Sequence, residues 1–275
     1  MVPGIAGSGP CVPDVNPRWH DLSDRLLWGV AMVHVGIVAI RLGGIWFKML
    51  TVFVTAVMVW ELARMIRIDE APFSMLLAAL TASVLSGLLE SGGGAYLPLL
   101  LVPAMIGALA LPKERFTFFL FAAAIVTAGW GLVTFRDTYG GTWLFWLVIV
   151  VVVTDVAGYF AGRIIGGPKF WPRVSPKKTW SGIAAGWVGA ALVGLLFLSF
   201  TNAGRDLIWI SMLLSFSSQM GDIAESALKR RVGVKDSSAL IPGHGGLFDR
   251  FDGLLGAALF MLLTALIVDV PEVRI

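Results

Sequence analysis

The stretch Gly221-Asp222-Ile223-Ala224-Glu225-Ser226-Ala227-Leu228-Lys229-Arg230 concentrates acids, a hydroxyl and bases at the end of an apolar run. If it is helical, Asp222, Glu225, Ser226 and Lys229 fall at i, i+3, i+4 and i+7 and share one face. A solvated helix end with an i,i+4 ion pair would account for Glu225 and Lys229. Asp222 asks for more, because an acid about a turn inside an apolar run is costly unless something pairs with it. Further on, Pro242-Gly243-His244-Gly245-Gly246 must be a loop. Its glycines let backbone N–H groups approach an anion, and a helix opening after it would add its positive dipole end. Asp249 and Asp252 then sit in the first turn of that helix, where acids are also favoured on dipole grounds alone. With Lys229, Arg230, Lys235 and Arg250 around them, these carboxylates suit a Mg²⁺–polyphosphate complex, since Mg²⁺ binds through a carboxylate or two plus substrate phosphates.

A second polar loop runs from Gly162-Arg163 to Thr179-Trp180. Ser175 reads as an N-cap and Pro176 as the first helical residue. Lys177 and Lys178 would then oppose the macrodipole in the first turn, a mismatch that a bound anion removes. Topology signalling by positive charge explains the same two lysines. Asp155 lies in the middle of an apolar segment with no cation near it in sequence and needs a partner. His34 reads as a packing or interface residue and His20 as part of the N-terminal tail. Trp46, Trp60 and Trp143 stand at segment ends, as an aromatic belt does.

The elements that must position these residues are membrane helices. Of 275 residues 57% are apolar and 14% charged, against roughly 45–50% and 25% in soluble domains. Nine apolar segments can be bounded: Leu26–Ile40, Ile45–Trp60, Phe73–Leu89, Ala95–Leu111, Phe116–Phe135, Thr142–Gly162, Gly182–Phe200, Leu207–Ala224 and Gly253–Val268. Most approach the roughly 20 residues a span needs. The first two are short; they extend through Arg41 or Lys48, whose stems snorkel, or form a re-entrant pair. The expected fold is therefore all-α and polytopic, with about nine transmembrane helices. Residues 1–21 would be a mobile tail, 22–141 the N-terminal transmembrane helices and 142–275 the C-terminal catalytic region. Sixteen of the 21 Lys and Arg residues fall on one side of this topology, leaving Arg41, Lys48, Arg136, Arg205 and Arg274 on the other. The positive-inside rule places the N-terminus and both basic loops in the cytoplasm and the C-terminus outside, in a bacterial-type inner membrane. Cys11 is the single cysteine, so neither an intramolecular disulfide nor a cysteine metal site can form.

Ser226-Ala227-Leu228-Lys229-Arg230, Lys235-Asp236, Pro242-Gly243-His244-Gly245-Gly246, Asp249-Arg250 and Asp252 together resemble the phosphatidate cytidylyltransferase (CDP-diacylglycerol synthase) signature. The resemblance extends upstream through Asp155 with Gly158-Tyr159-Phe160-Ala161-Gly162-Arg163 and through Ser175-Pro176-Lys177-Lys178-Thr179-Trp180, and more weakly to Glu61-Leu62-Ala63-Arg64. It implies cytidylyl transfer from CTP to phosphatidic acid in the bilayer, with Mg²⁺, no nucleic acid and a homodimer. Carried over by position, Asp222, Asp249 and Asp252 are the implied metal ligands. The implied catalytic set is Asp222, Lys229, Arg230, Lys235, Asp236, His244, Asp249 and Arg250. Arg163, Ser175, Lys177, Lys178, Thr179, Ser226, Gly245 and Gly246 are the implied substrate and phosphate contacts. Ser181 departs from the pattern, which usually has an acid after the Thr-Trp pair.

The chemistry so implied is an in-line displacement in which a phosphatidate oxygen attacks the α-phosphorus of CTP. A phosphate monoester whose second pKa is about 6 is already largely a dianion near neutrality, so no strong general base is needed and His244 reads as a hydrogen-bond donor. Two other classes compete: a CTP-using polyprenol kinase, separated by product identity, and a transporter with Asp155 and Asp222 as coupling sites. The absence of an internal repeat and the one-sided charge speak against transport.

Overall fold

The computed structural model describes residues 17–66, 71–91, 94–241 and 245–269. Cys11, Pro242, Gly243, His244 and Arg274 lie outside the described residues. The helices are α1 (Pro17–Leu42), α2 (Gly44–Ile66), α3 (Ala71–Ser91), α4 (Val102–Ala110), α5 (Arg115–Tyr139), α6 (Gly141–Ile164), α7 (Trp180–Leu198), α8 (Asp206–Val232) and α9 (Phe248–Ala265). Each apolar segment read from the sequence thus becomes a helix. Six of them, α2, α3, α5, α6, α7 and α8, are long and apolar enough to cross a membrane. Their outward faces carry exposed Phe53, Leu76, Leu192, Leu196 and Trp209, as hydrocarbon solvent permits and water does not. The protein is a multi-pass membrane protein.

Four boundaries differ from expectation. Residues 17–21, assigned to the tail, begin α1. The fourth segment is broken into a 3-10 turn, Gly94–Leu101, followed by the short α4, because Pro98 and Pro103 each lack an N–H for a continuous helix. Helix α8 continues past Ala224 to Val232, so Lys229 and Arg230 are helical. Most consequential, Ser175–Thr179 is not a helix start. It forms strand β2, paired antiparallel with β1 (Lys169–Trp171), and α7 opens only at Trp180. The N-cap is Thr179, whose hydroxyl accepts from Gly182 N at 3.2 Å. Pro176 falls in the irregular stretch between the pairs Lys169↔Thr179 and Trp171↔Ser175, where a strand tolerates a residue without a donor.

Besides a small cluster of Ala39, Ile40, Phe47, Val133 and Leu144, the described residues form two large apolar cores. One gathers Val59, Leu62, Leu85, Leu111, Phe118 and Phe248 from α2, α3, the end of α4, α5 and the head of α9. The other gathers Trp146, Leu147, Ala190, Leu214 and Ala257 from α6, α7, α8 and α9. Trp143, read as a belt residue, is buried beside Trp146 with ring centroids 6.0 Å apart. Polar side chains tie the second core internally: Trp146 Nε1 donates to Ser211 Oγ at 3.0 Å and Thr154 Oγ1 to Ser215 Oγ at 2.8 Å. In a medium without a hydrophobic drive between helices, such bonds and close packing hold the bundle. Gly221 and Gly256 let α8 and α9 approach at the backbone: a Cβ on Gly256 would stand 3.1 Å from Gly221 Cα.

Charged contacts sort to opposite ends of the bundle. At one end are the hairpin, Glu61, the Arg231–Glu114 pair at 2.8 Å and residues 229–241 and 245–252. At the other, Arg136 donates to Ile40 O at 3.2 Å and Lys48 lies 3.9 Å from Asp137.

Candidate active site

Asp249 opens α9, and both of its oxygens are taken. Oδ1 meets Lys229 Nζ at 2.7 Å. Oδ2 accepts from Ser237 N at 2.9 Å, Ser237 Oγ at 3.0 Å and Gly246 N at 2.8 Å. Lys229 also meets Glu225 Oε2 at 2.6 Å. The i,i+4 pair read from the sequence therefore exists, but not at a solvated surface: Glu225 is 1% exposed, and among the described residues its other oxygen has no hydrogen-bond partner. Beside this knot lies a carboxylate from a distant helix. Glu61 of α2 is fully buried and accepts from Ser238 Oγ at 2.6 Å and Leu247 N at 3.0 Å on Oε1, and from Phe248 N at 2.6 Å and Ser237 Oγ at 3.3 Å on Oε2. The anion expected at the glycine-rich helix start is thus supplied internally, with the dipole end and the N–H groups used on Glu61 and Asp249. Glycine is required at both neighbouring positions. Gly245 has φ 83°, and a Cβ on Gly246 would strike Ser237 Oγ and Glu61.

A second group of acids sits across α8. Asp222 Oδ2 lies 2.6 Å from Lys178 Nζ, and Ser226 Oγ donates to Asp222 Oδ1 at 3.3 Å. Asp222 and Lys178 both act electrostatically on Asp155 of α6 and on Asp252 of α9. Asp252 Oδ1 accepts from Gly253 N at 2.7 Å. Asp155 thereby finds the cation it lacked in sequence. Lys178, delivered by the strand β2, pairs directly with Asp222 alone and acts on Asp155 and Asp252 through its charge. Lys178 is held in turn by Gln219 O at 3.3 Å, while Gln219 accepts from Trp187 Nε1 at 3.1 Å and donates to Ile183 O at 3.3 Å.

The remaining candidates are placed as follows. Lys177 and Ser175 share the strand with Lys178, yet Lys177 is exposed and Ser175 half-buried. Thr179 caps α7 and lies 3.0 Å from Ser181 Oγ, which donates to Gly166 O at 2.5 Å. Ser181 therefore fastens the loop before the hairpin to α7. Arg163 donates to Tyr159 Oη at 2.8 Å on the exposed side of α6. Arg230, Lys235, Asp236 and Arg250 are exposed around the loop mouth, and His34 is exposed on α1. Between α2 and residues 234–240 opens a cavity of about 420 Å³ walled by Trp60, Arg64, Asp236 and Leu240. Trp60, expected in an aromatic belt, lines it.

Sequence reading missed the roles of Glu61, Ser237, Ser238 and Gln219. A signal for Glu61 existed: it is an acid inside an apolar helix, the same criterion that singled out Asp155 and Asp222.

This entire end of the bundle falls within residues 23–268, which match the model of the cytidylyltransferase family. The chain belongs to the cytidylyltransferase family. Among relatives of this family member, the phosphatidate cytidylyltransferase of Brucella suis biovar 1 (strain 1330) is 34% identical over 260 residues, 92% of this chain and 96% of its own length. That of Bacillus subtilis (strain 168) is 33% identical over 256 residues, 86% of this chain and 94% of its own. A Staphylococcus saprophyticus counterpart is 37% identical over 153 residues, 53% of this chain. The resemblance read from the motifs is borne out, and with it the assignment to nucleotidyl-transferring enzymes.

Proposed function

We propose that this chain is a phosphatidate cytidylyltransferase: it transfers the cytidylyl group of CTP to phosphatidic acid, making CDP-diacylglycerol and pyrophosphate for phospholipid synthesis. The observation that carries the reading is the Asp222–Lys178 pair, 2.6 Å apart, with Asp155 and Asp252 within electrostatic reach of both at one end of an apolar bundle. Three acids against one ammonium leave excess negative charge where it is costly. A hard divalent cation with oxygen preference relieves that charge.

The donor chemistry fits Mg²⁺, with Asp222 and Asp252 as the residues that would hold it. Asp249, the third acid implied by the family resemblance, would have to exchange Lys229 for metal. No three His, Asp or Glu side chains among the described residues already converge on one point. Mg²⁺, when bound, supplies neutralisation of phosphate charge. The chain's own residues do the rest. Lys178 and Lys229 are positioned to bind phosphate oxygens, each turning from a carboxylate to the substrate. Arg230, Lys235 and Arg250 ring the mouth and draw in polyanions. One phosphatidate oxygen forms a bond to the α-phosphorus while the bond from that phosphorus to the bridging oxygen breaks, releasing pyrophosphate; no proton need be removed first.

Nine crossings follow if α1, the 3-10 turn with α4, and α9 also span. The positive-inside rule then sets the active end and the N-terminus in the cytoplasm and the C-terminus outside, in the inner membrane. Family resemblance further implies a homodimer, which the mass of the detergent-solubilised particle tests.

The deciding experiment incubates purified protein with α-labelled CTP, phosphatidic acid and Mg²⁺. Label entering the lipid phase, abolished by EDTA, is the expected result. Absence of labelled lipid from folded protein rejects the reading, and lipid labelled only from γ-labelled CTP redirects it to a lipid kinase.

A further inference from the structure

The cavity between α2 and the loop before α9 shares only Ser237 and Ser238 with the Glu61–Asp249 cluster. Met65, Val234 and Leu240 make apolar walls, and Trp60 offers a ring with the Arg64 guanidinium 5.9 Å from its centroid. Its volume of about 420 Å³ is within the ~300–1,000 Å³ that small-molecule sites occupy. The Ser237 and Ser238 hydroxyls in its wall are committed to Glu61 and Asp249. That leaves Asp236 and Arg64 as the charged groups facing it. They have opposite signs, yet among the described residues neither has an ion pair or hydrogen bond. An apolar slot with one acceptor-only group and one donor-only group suits a flat heterocycle that carries a donor beside acceptors.

Resting on the cytidylyl-transfer reading, we infer that this cavity seats the nucleobase of CTP, with Asp236 accepting from the 4-amino group, Arg64 donating to the ring's O2 and N3, and Trp60 walling one side. Cytosine matches that order of groups, and a carboxylate accepting from its exocyclic amine is an established pairing geometry. Uracil turns a carbonyl oxygen to the same carboxylate, so acceptor meets acceptor and UTP is rejected by repulsion as well as by a lost bond. The position is right for the chemistry. Ser237 is common to the cavity wall and to the hydrogen bonds of Asp249, so the cavity adjoins the Asp249–Lys229 pair. Asp236, implied by the motif as catalytic, becomes a specificity residue.

The test compares CTP and UTP, both as competitors of labelled CTP in equilibrium binding and as substrates, using the full-length purified protein. Wild type should favour CTP by about 10²-fold or more. Asp236→Asn should bring the two within about tenfold, because an amide can present either its oxygen or its nitrogen to the base. Leu240→Trp, at an exposed position where folding is not at stake, should fill the slot and weaken both nucleotides by about tenfold or more. Unchanged preference in Asp236→Asn, unchanged affinity in Leu240→Trp, or no CTP preference in wild type overturns the inference. Failure of the functional reading looks different: Asp236-dependent CTP binding without labelled lipid removes the transferase assignment and leaves the cavity assignment standing.

Discussion

Asp249 and Asp252 are three residues apart at the head of α9, and the structure gives them opposite surroundings. Asp249 is filled by Lys229, Ser237 and Gly246 and is backed by Glu61, which is filled by four donors of its own. Asp252 feels the negative charge of Asp222 and Asp155, offset by the single Lys178. The first group is internally satisfied, so it fixes the loop and the start of α9. The second group is short of positive charge, so it is where an incoming cation or cationic complex gains most. Satisfied and unsatisfied carboxylates thus divide between them the work of holding shape and of doing chemistry.

The largest expected effect separates the two groups directly. Asp222→Asn should lower turnover by about 10³-fold, the scale for removing one electrostatic stabiliser of a transition state, while the thermal midpoint in detergent stays level or rises because a like-charge contact is gone. A marked fall in that midpoint would erase the contrast. Glu61→Gln should behave in the opposite sense. An amide cannot accept from all four donors, and a buried donor left unmatched costs about 1–3 kcal/mol, so the protein should melt earlier, with activity falling alongside folded protein and recovering in part with Asp. Asp249→Asn is intermediate, losing both stability and turnover, since Lys229 is left half-buried with one charged partner fewer.

Smaller effects sharpen the same division along β2. Lys178→Met should raise the Michaelis constant for CTP or lipid at least about tenfold, the scale of one charge-assisted contact, whereas exposed Lys177→Met should change it little. Equal effects would mean that the strand does not sort its two lysines. The smallest concerns the periphery. Thr117 and Arg231 hold Glu114 below its ordinary carboxylate range, so their contribution is present at neutral pH and is lost as pH falls through that lowered value. Glu114→Gln should erase this acid-side loss, and the exposed Arg231 pair should leave the neutral-pH melting curve nearly unchanged.

The helices were legible because an apolar run of about 20 residues hides its backbone in hydrocarbon by bonding within itself as a helix, and the bounded apolar segments are of about that length. Asp155 and Asp222 were also legible as costly acids and Asp252 as a first-turn acid of α9, and their proximity follows once α6, α8 and α9 pack together. The hairpin was not legible. Ser175-Pro176 carries a sound helix-start signal, and only pairing with Lys169–Trp171 overrides it. The break at Pro98 and Pro103 was readable and overlooked.

What the sequence by itself determined is the solvent, the number of apolar elements, the end of the bundle that carries charge and the family to which its motifs point. Those depend on residue type and local spacing, which a chain carries before it folds. Tertiary structure alone decided which carboxylates are satisfied. Glu61 meets Ser237, Ser238 and α9, and Lys178 meets Asp222, only when helices distant in sequence pack side by side. Whether a buried acid holds the fold or waits for a ligand depends on how many donors surround it, and that number exists only in three dimensions.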